Sequence, residues 1–120
     1  MMSALSIDDL REMCSALPRV TSDFPFDADT LVFRIHGKIF ALMSVNPRGA
    51  PPSITLKCEP TFAEMLRSTY DAVTPGYHMN KRHWNTVVVD GTIPPPEIED
   101  MIDHAYRQVL KSLPKSIRES

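Results

Sequence analysis

Ile7, Leu10, Met13, Cys14 and Leu17 recur at steps of three and four, which predicts a helix from about Ile7 to Leu17 with one buried stripe. Ser6 can accept from the free amides of its first turn, Asp8 and Asp9 suit the positive end of its dipole, and Pro18 stops it. Asp23-Phe-Pro-Phe-Asp27 mixes turn formers with apolar anchors and reads as a loop or short strand pinned to the core. Leu31–Ile35 and Lys38–Met43 flank His36-Gly37, where glycine tolerates the positive φ of a tight turn, so a β-hairpin is expected. A strand over Ser53–Cys58 follows a proline-stiffened loop, with Ile54, Leu56 and Cys58 on one face and Thr55 and Lys57 on the other.

Pro60 opens a second helix running to about Tyr70, with Phe62, Leu66 and Tyr70 aligned. Residues 73–82 hold no stable period and read as a structured loop, and a strand covers His83 to Val89. From Pro95 to Leu113 the apolar residues Ile98, Met101, Ile102, Ala105, Tyr106, Val109, Leu110 and Leu113 form a wide helical face. The order α-β-β-β-α-β-α predicts an α+β sandwich of one domain over residues 1–120, with helices on one face of a mostly antiparallel sheet. The other sheet face is expected to be at least half wet.

At 120 residues, 42% of them apolar, the chain can bury one core and is not disordered as a whole. No apolar run approaches the ~20 residues of a membrane span, and the acidic start MMSALSIDDL is unlike a signal peptide. Cys14 and Cys58 are too few for a disulfide scaffold and read as buried thiols, so a cytoplasmic location is expected. The net charge of −2 conceals a segregation. Residues 1–30 hold two cations against six acids, residues 31–89 seven against three, and residues 90–120 four against six. An anion-binding face in the middle of the chain is thereby allowed.

Enzymatic signatures are few. There is no Gly-x-Gly-x-x-Gly, Walker loop or Gly-x-Ser-x-Gly elbow, and His36, His78, His83 and His104 lack metal-ligand spacing. Asp100 and His104 lie four apart on a helix, but a solvated flank is the simpler reading than a metal pair. Acids at 97, 99, 100 and 103 are most simply matched to the helix dipole. Cys58 follows Lys57, yet its alternation with Ile54 and Leu56 turns it inward, where a thiol's pKa rises. No cofactor or metal is expected, and no enzyme.

The segment Tyr77-His-Met-Asn-Lys-Arg-His-Trp-Asn85 is different in kind. Lys81 and Arg82 supply charge-assisted donors for phosphate, and His78 and His83 add donors as pH falls. Tyr77 or Trp84 can stack on a base if exposed. A lone tryptophan is more simply a core plug, with the amides capping their own loop.

Thr74-Pro-Gly-Tyr-His-Met-Asn-Lys-Arg-His-Trp-Asn-Thr86 resembles the signature of the MmcQ/YjbR family of small bacterial proteins, as do Asp23–Asp27, Leu56-Lys-Cys58 and Asp103-His-Ala-Tyr106. The similarity spans about Leu5 to Pro114. It departs at the proline-rich loop Asn46–Pro52 and at Ala105, where a serine is expected. The resemblance implies a frataxin-like, or double-wing, α+β fold and a DNA-binding role. Lys81, Arg82, Lys57 and Arg34 would then contact phosphates, assisted by Asn80, His78 and His83, with Trp84 as a stacking candidate. Each neutralised phosphate adds about 0.9 to the salt slope on duplex DNA. Four cations on an acidic chain imply weak binding alone, hence an oligomer or protein partner. The alternative is a small-ligand or protein-interaction module whose Tyr77–Asn85 motif is structural or an anion pocket. It predicts a buried Trp84 and a Lys81 bonded to backbone or to Asp71 or Asp90. Iron binding, by analogy with frataxin, has only Asp8, Asp9 and Glu12 to draw on.

Overall fold

A computed structural model describes residues 5–76 and 79–118. Helix α1 (Ile7–Ser15) begins at a reciprocal cap: the Asp9 amide donates to Ser6 Oγ at 3.1 Å and the Ser6 amide to Asp9 Oδ2 at 2.9 Å. Strands β1 (Val20–Asp23), β2 (Thr30–Ile35), β3 (Lys38–Ser44) and β4 (Ser53–Lys57) precede helix α2 (Pro60–Thr69). Strands β5 (Val73–Pro75) and β6 (Trp84–Val88), helix α3 (Pro95–Ser112) and the short α4 (Lys115–Arg118) complete the chain. The six strands form one antiparallel sheet in the order β1-β2-β3-β4-β6-β5.

The helix-covered, antiparallel α+β architecture agrees with the sequence reading, but the pattern assigns no element to residues 20–22 and makes 73–82 a structured loop, where the fold has β1 and β5. They have four and three residues, too short to show a two-residue period. Each exists because a long neighbour offers a ladder: Thr21 pairs Arg34 on one edge, and Thr74 pairs Thr86 near the other.

Register divides the sheet into two faces. Leu31, Met43, Ile54, Val87 and Val73 lie across from one another and face the helices, with Ile98, Met101, Ile102, Ala105 and Leu10 packed over the same core. The adjacent row, Val32, Leu42, Thr55, Thr86 and Thr74, faces away. A bulge beside Phe33 and Arg34 lets both Phe40 and Ala41 turn inward. Phe40 then meets Tyr106 edge-on at 5.7 Å, and Tyr106 donates its hydroxyl to Pro18 O at 2.9 Å, tying α3 to the exit of α1. The predicted hairpin turn is present, with His36 at φ +50° and Gly37 at φ +81°. No helix among the described residues is long and apolar enough to cross a membrane.

Candidate binding surface

The cationic segment is held from beneath by a residue outside it. Arg67, in the last turn of α2, donates Nε to Asn85 Oδ1 at 2.7 Å and Nη2 to the carbonyls of Lys81 and Trp84. Asn85 is 2% exposed, sits at a core-facing register position and donates its Nδ2 to Ala63 O. A buried amide needs such partners. The loop also pins itself: Asn80 Oδ1 accepts from the Arg82 amide at 2.9 Å, and Asn80 O from the His83 amide. Gly76 lies so close to Trp84 that its amide reaches Trp84 O at 2.8 Å.

These contacts leave the expected phosphate ligands in unequal positions. Lys81 and Arg82 are exposed and form no ion pair with a described residue; Lys81 Nζ lies 3.5 Å from Gly76 O. Lys57 projects from the open face of β4 over the Trp84 ring, 5.3 Å from its centroid. Arg34 shares that face but is already engaged, with Nε 3.1 Å from Asp23 Oδ1 and Nη1 donating to Gly37 O. Trp84 is 7% exposed, which leaves little of its ring for a base to stack on and favours the core-plug reading over the stacking one. Asn80 spends its carbonyl oxygen on the loop, and His83 is half-buried with its backbone carbonyl accepting from the Cys58 amide. His78, like Tyr77, lies outside the described residues.

What the sequence did not reveal is a groove of about 550 Å3 on the open sheet face. Its floor is Leu42, Thr55 and Thr86, with the two threonine hydroxyls 3.0 Å apart, and Ser44 and Ser53 line it further along. Phe26 forms one wall and is 66% exposed; Met79 forms the other and immediately precedes the Asn80–His83 turn that carries Lys81 and Arg82. The Phe26 loop is fixed by Asp27, whose carboxylate accepts from the amides of Asp29 and Thr30 at 2.8 and 2.7 Å. Those amides hold the Asp27 carboxyl below the usual carboxylate range. The volume falls in the ~300–1,000 Å3 range of small-molecule sites.

Other reactive groups are placed against chemistry. Burial pushes the Cys14 thiol up to about 12 and the Cys58 thiol up to about 11. His104 Nε2 accepts from the Glu59 amide at 3.2 Å, so the neutral ring serves the start of α2. Among the described residues no three His, Cys, Asp or Glu side chains could hold a metal ion.

Fold and surface together define a small α+β protein whose single antiparallel sheet is covered by helices on one side and grooved on the other. More particularly, the chain belongs to the YjbR family, whose model matches residues 15–108. It is 32% identical over 115 residues to protein YjbR of Escherichia coli K12, covering 95% of each chain. It is 36% identical over 105 residues to protein YbdF of Escherichia coli O157:H7, covering 88% of this chain and 84% of that relative. The crystal structure of Deinococcus radiodurans protein DR2400 superposes with a TM-score of 0.89 at 36% identity, over 95% of this chain and 86% of that one. A crystal structure of a Pseudomonas syringae protein matches with a TM-score of 0.74 at 25% identity, over 87% of this chain and 98% of that one.

Proposed function

We propose that this chain is a non-enzymatic binding domain whose ligand lies in the open-face groove. The ligand class is one that joins a planar or apolar part to an anionic group. One observation carries this reading: the wall formed by Met79 runs directly into the Asn80–His83 turn that exposes Lys81 and Arg82, two cations with no carboxylate partner among the described residues. An apolar body would lie between Phe26, Leu42 and Met79, and hydroxyls on the floor would orient its polar edge. Arg82 and Lys81 would then take the anion, one through a planar fork and the other as a point charge. The inert thiols and the engaged His104 support binding rather than catalysis.

DNA is the second reading, favoured by the same two cations following Met79 in the chain and by an exposed phenylalanine that lines the groove with Met79. Stacking on one aromatic is worth about 1–3 kcal/mol per base, which suits a single strand crossing the groove better than a closed duplex. With Arg34 paired to Asp23 and Lys57 held over the Trp84 ring, two of the four phosphate contacts remain, and the single-strand salt slope becomes about 1.4. Fluorescence anisotropy with a labelled oligothymidylate at low salt, competed with a mononucleotide, tests both readings. Weakening by Phe26→Ala and by Lys81→Ala/Arg82→Ala supports the groove; a duplex bound more tightly than the strand and indifferent to Phe26→Ala supports phosphate contact alone. Failure of both oligonucleotide and mononucleotide to bind at millimolar concentration contradicts the proposal.

A further inference from the structure

A second depression lies on the opposite side of the molecule, between α1 and α3, with a volume of about 540 Å3. Leu5, Met13 and Leu17 give it an apolar floor above the buried Ile102, and no cation among the described residues lines it. Its rim carries Glu12, Glu99 and Asp100, none of which pairs with a described cation. Two further acids there are already used, Asp9 by the cap of α1 and Asp103 by Arg107 at 2.7 Å.

The helix dipole does not account for this charge. Glu97 occupies the first turn of α3, where a dipole effect is felt, whereas Glu99 and Asp100 lie beyond the positions that dominate it. Nor do the rim carboxylates converge on a point: among the described residues no three acids or other ligands are grouped to hold an ion. Separated negative charges around an apolar floor match a partner with separated positive charges around an apolar stripe.

We propose that the α1–α3 cleft docks a basic amphipathic helix of a partner protein. The stripe of that helix lies on Leu5, Met13 and Leu17, and its lysines or arginines face Glu12, Glu99 and Asp100. Residues at i, i+3, i+4 and i+7 of the partner supply the apolar contacts. The charged rim sets orientation and association rate, so the interaction weakens as salt shortens the Debye length.

The test uses the full chain and a labelled synthetic peptide of about 15 residues, with leucines at those spacings and lysines on the flanks. Expected is saturable binding that weakens at least tenfold in Glu12→Lys/Glu99→Lys/Asp100→Lys, with amide shifts confined to α1 and α3. Ala16→Trp, which fills the cleft without changing charge, should weaken it comparably, and circular dichroism confirms that both variants fold. The same peptide with glutamate in place of lysine should not bind. Absence of binding to the parent chain at millimolar peptide, equal binding of the glutamate peptide, undiminished affinity in either variant, or shifts centred on the sheet face would each overturn the proposal.

Discussion

Arg67 Nε donates to Asn85 Oδ1 at 2.7 Å, and this bond joins the last turn of α2 to the strand that follows the cationic loop. The same guanidinium reaches the carbonyls of Lys81 and Trp84, so it sets the path of the loop on which the proposed anion contacts stand. Arg67→Met leaves the Asn85 side chain, 2% exposed, without its main partner. An unsatisfied buried amide costs about 1–3 kcal/mol. Urea denaturation should show a loss of that size, with partial recovery in Arg67→Met/Asn85→Leu, where neither polar group remains.

Gly76 is irreplaceable for space rather than for backbone angle. A Cβ there would lie 2.7 Å from Trp84 Cβ and 3.1 Å from Trp84 O, neither of which is a flexible side-chain end. Gly76→Ala should therefore cost about 1–3 kcal/mol, as overpacking does. Tryptophan fluorescence of the variant should shift to the red and become open to acrylamide, whereas the parent Trp84, 7% exposed, should resist quenching.

His104 couples pH to stability. Burial lowers its pKa below the ordinary 6.5, although the charges of Glu59 and Asp103 oppose the shift. The folded chain holds the ring neutral, as its acceptance from the Glu59 amide requires. Between the folded pKa and about 6.5 the unfolded chain binds more protons, so this contribution is complete above pH 6.5 and declines as pH falls through the folded value. Thermal melts from pH 7.5 to 5 should show the decline, and His104→Gln should flatten it.

Both thiols should be inert in the native state. With Cys14 raised to about 12 and Cys58 to about 11, almost no thiolate exists at pH 8. Mass spectrometry after iodoacetamide treatment should find the folded chain unmodified under conditions that alkylate it fully in urea. Rapid native labelling of Cys58 would reveal a reactive centre that the geometry does not supply.

The fold was legible where a period ran long enough. Seven apolar positions mark α3 and an eighth, Leu113, its C-cap, and Leu31, Phe33 and Ile35 alternate clearly enough to orient β2 and, through its hairpin, β3. Strands β1 and β5 owe their existence to neighbours distant in sequence, which local pattern cannot show. The candidate surface was legible only in part, for the same reason. Lys81 and Arg82 stand out by type, but Arg67 looks like any helical cation until Asn85 is brought beside it. One signal was available: Asn85 is a polar residue in inward register between Trp84 and Thr86, and such a position demands a partner. The ion pair between Arg34 and Asp23 required the β1–β2 pairing. Phe26 and Met79 come from two loops with no shared pattern, so their groove belongs to the tertiary structure alone.

The most direct test of the open-face assignment is an amide and methyl chemical-shift titration of the full chain with a short oligothymidylate and with a mononucleotide. Ligand in the groove should give progressive shifts at Phe26, Leu42, Thr55 and Met79, extending to Lys81 and Arg82, while α1 and α3 stay unchanged. Shifts gathered on the helical side, or none at millimolar ligand, would contradict it.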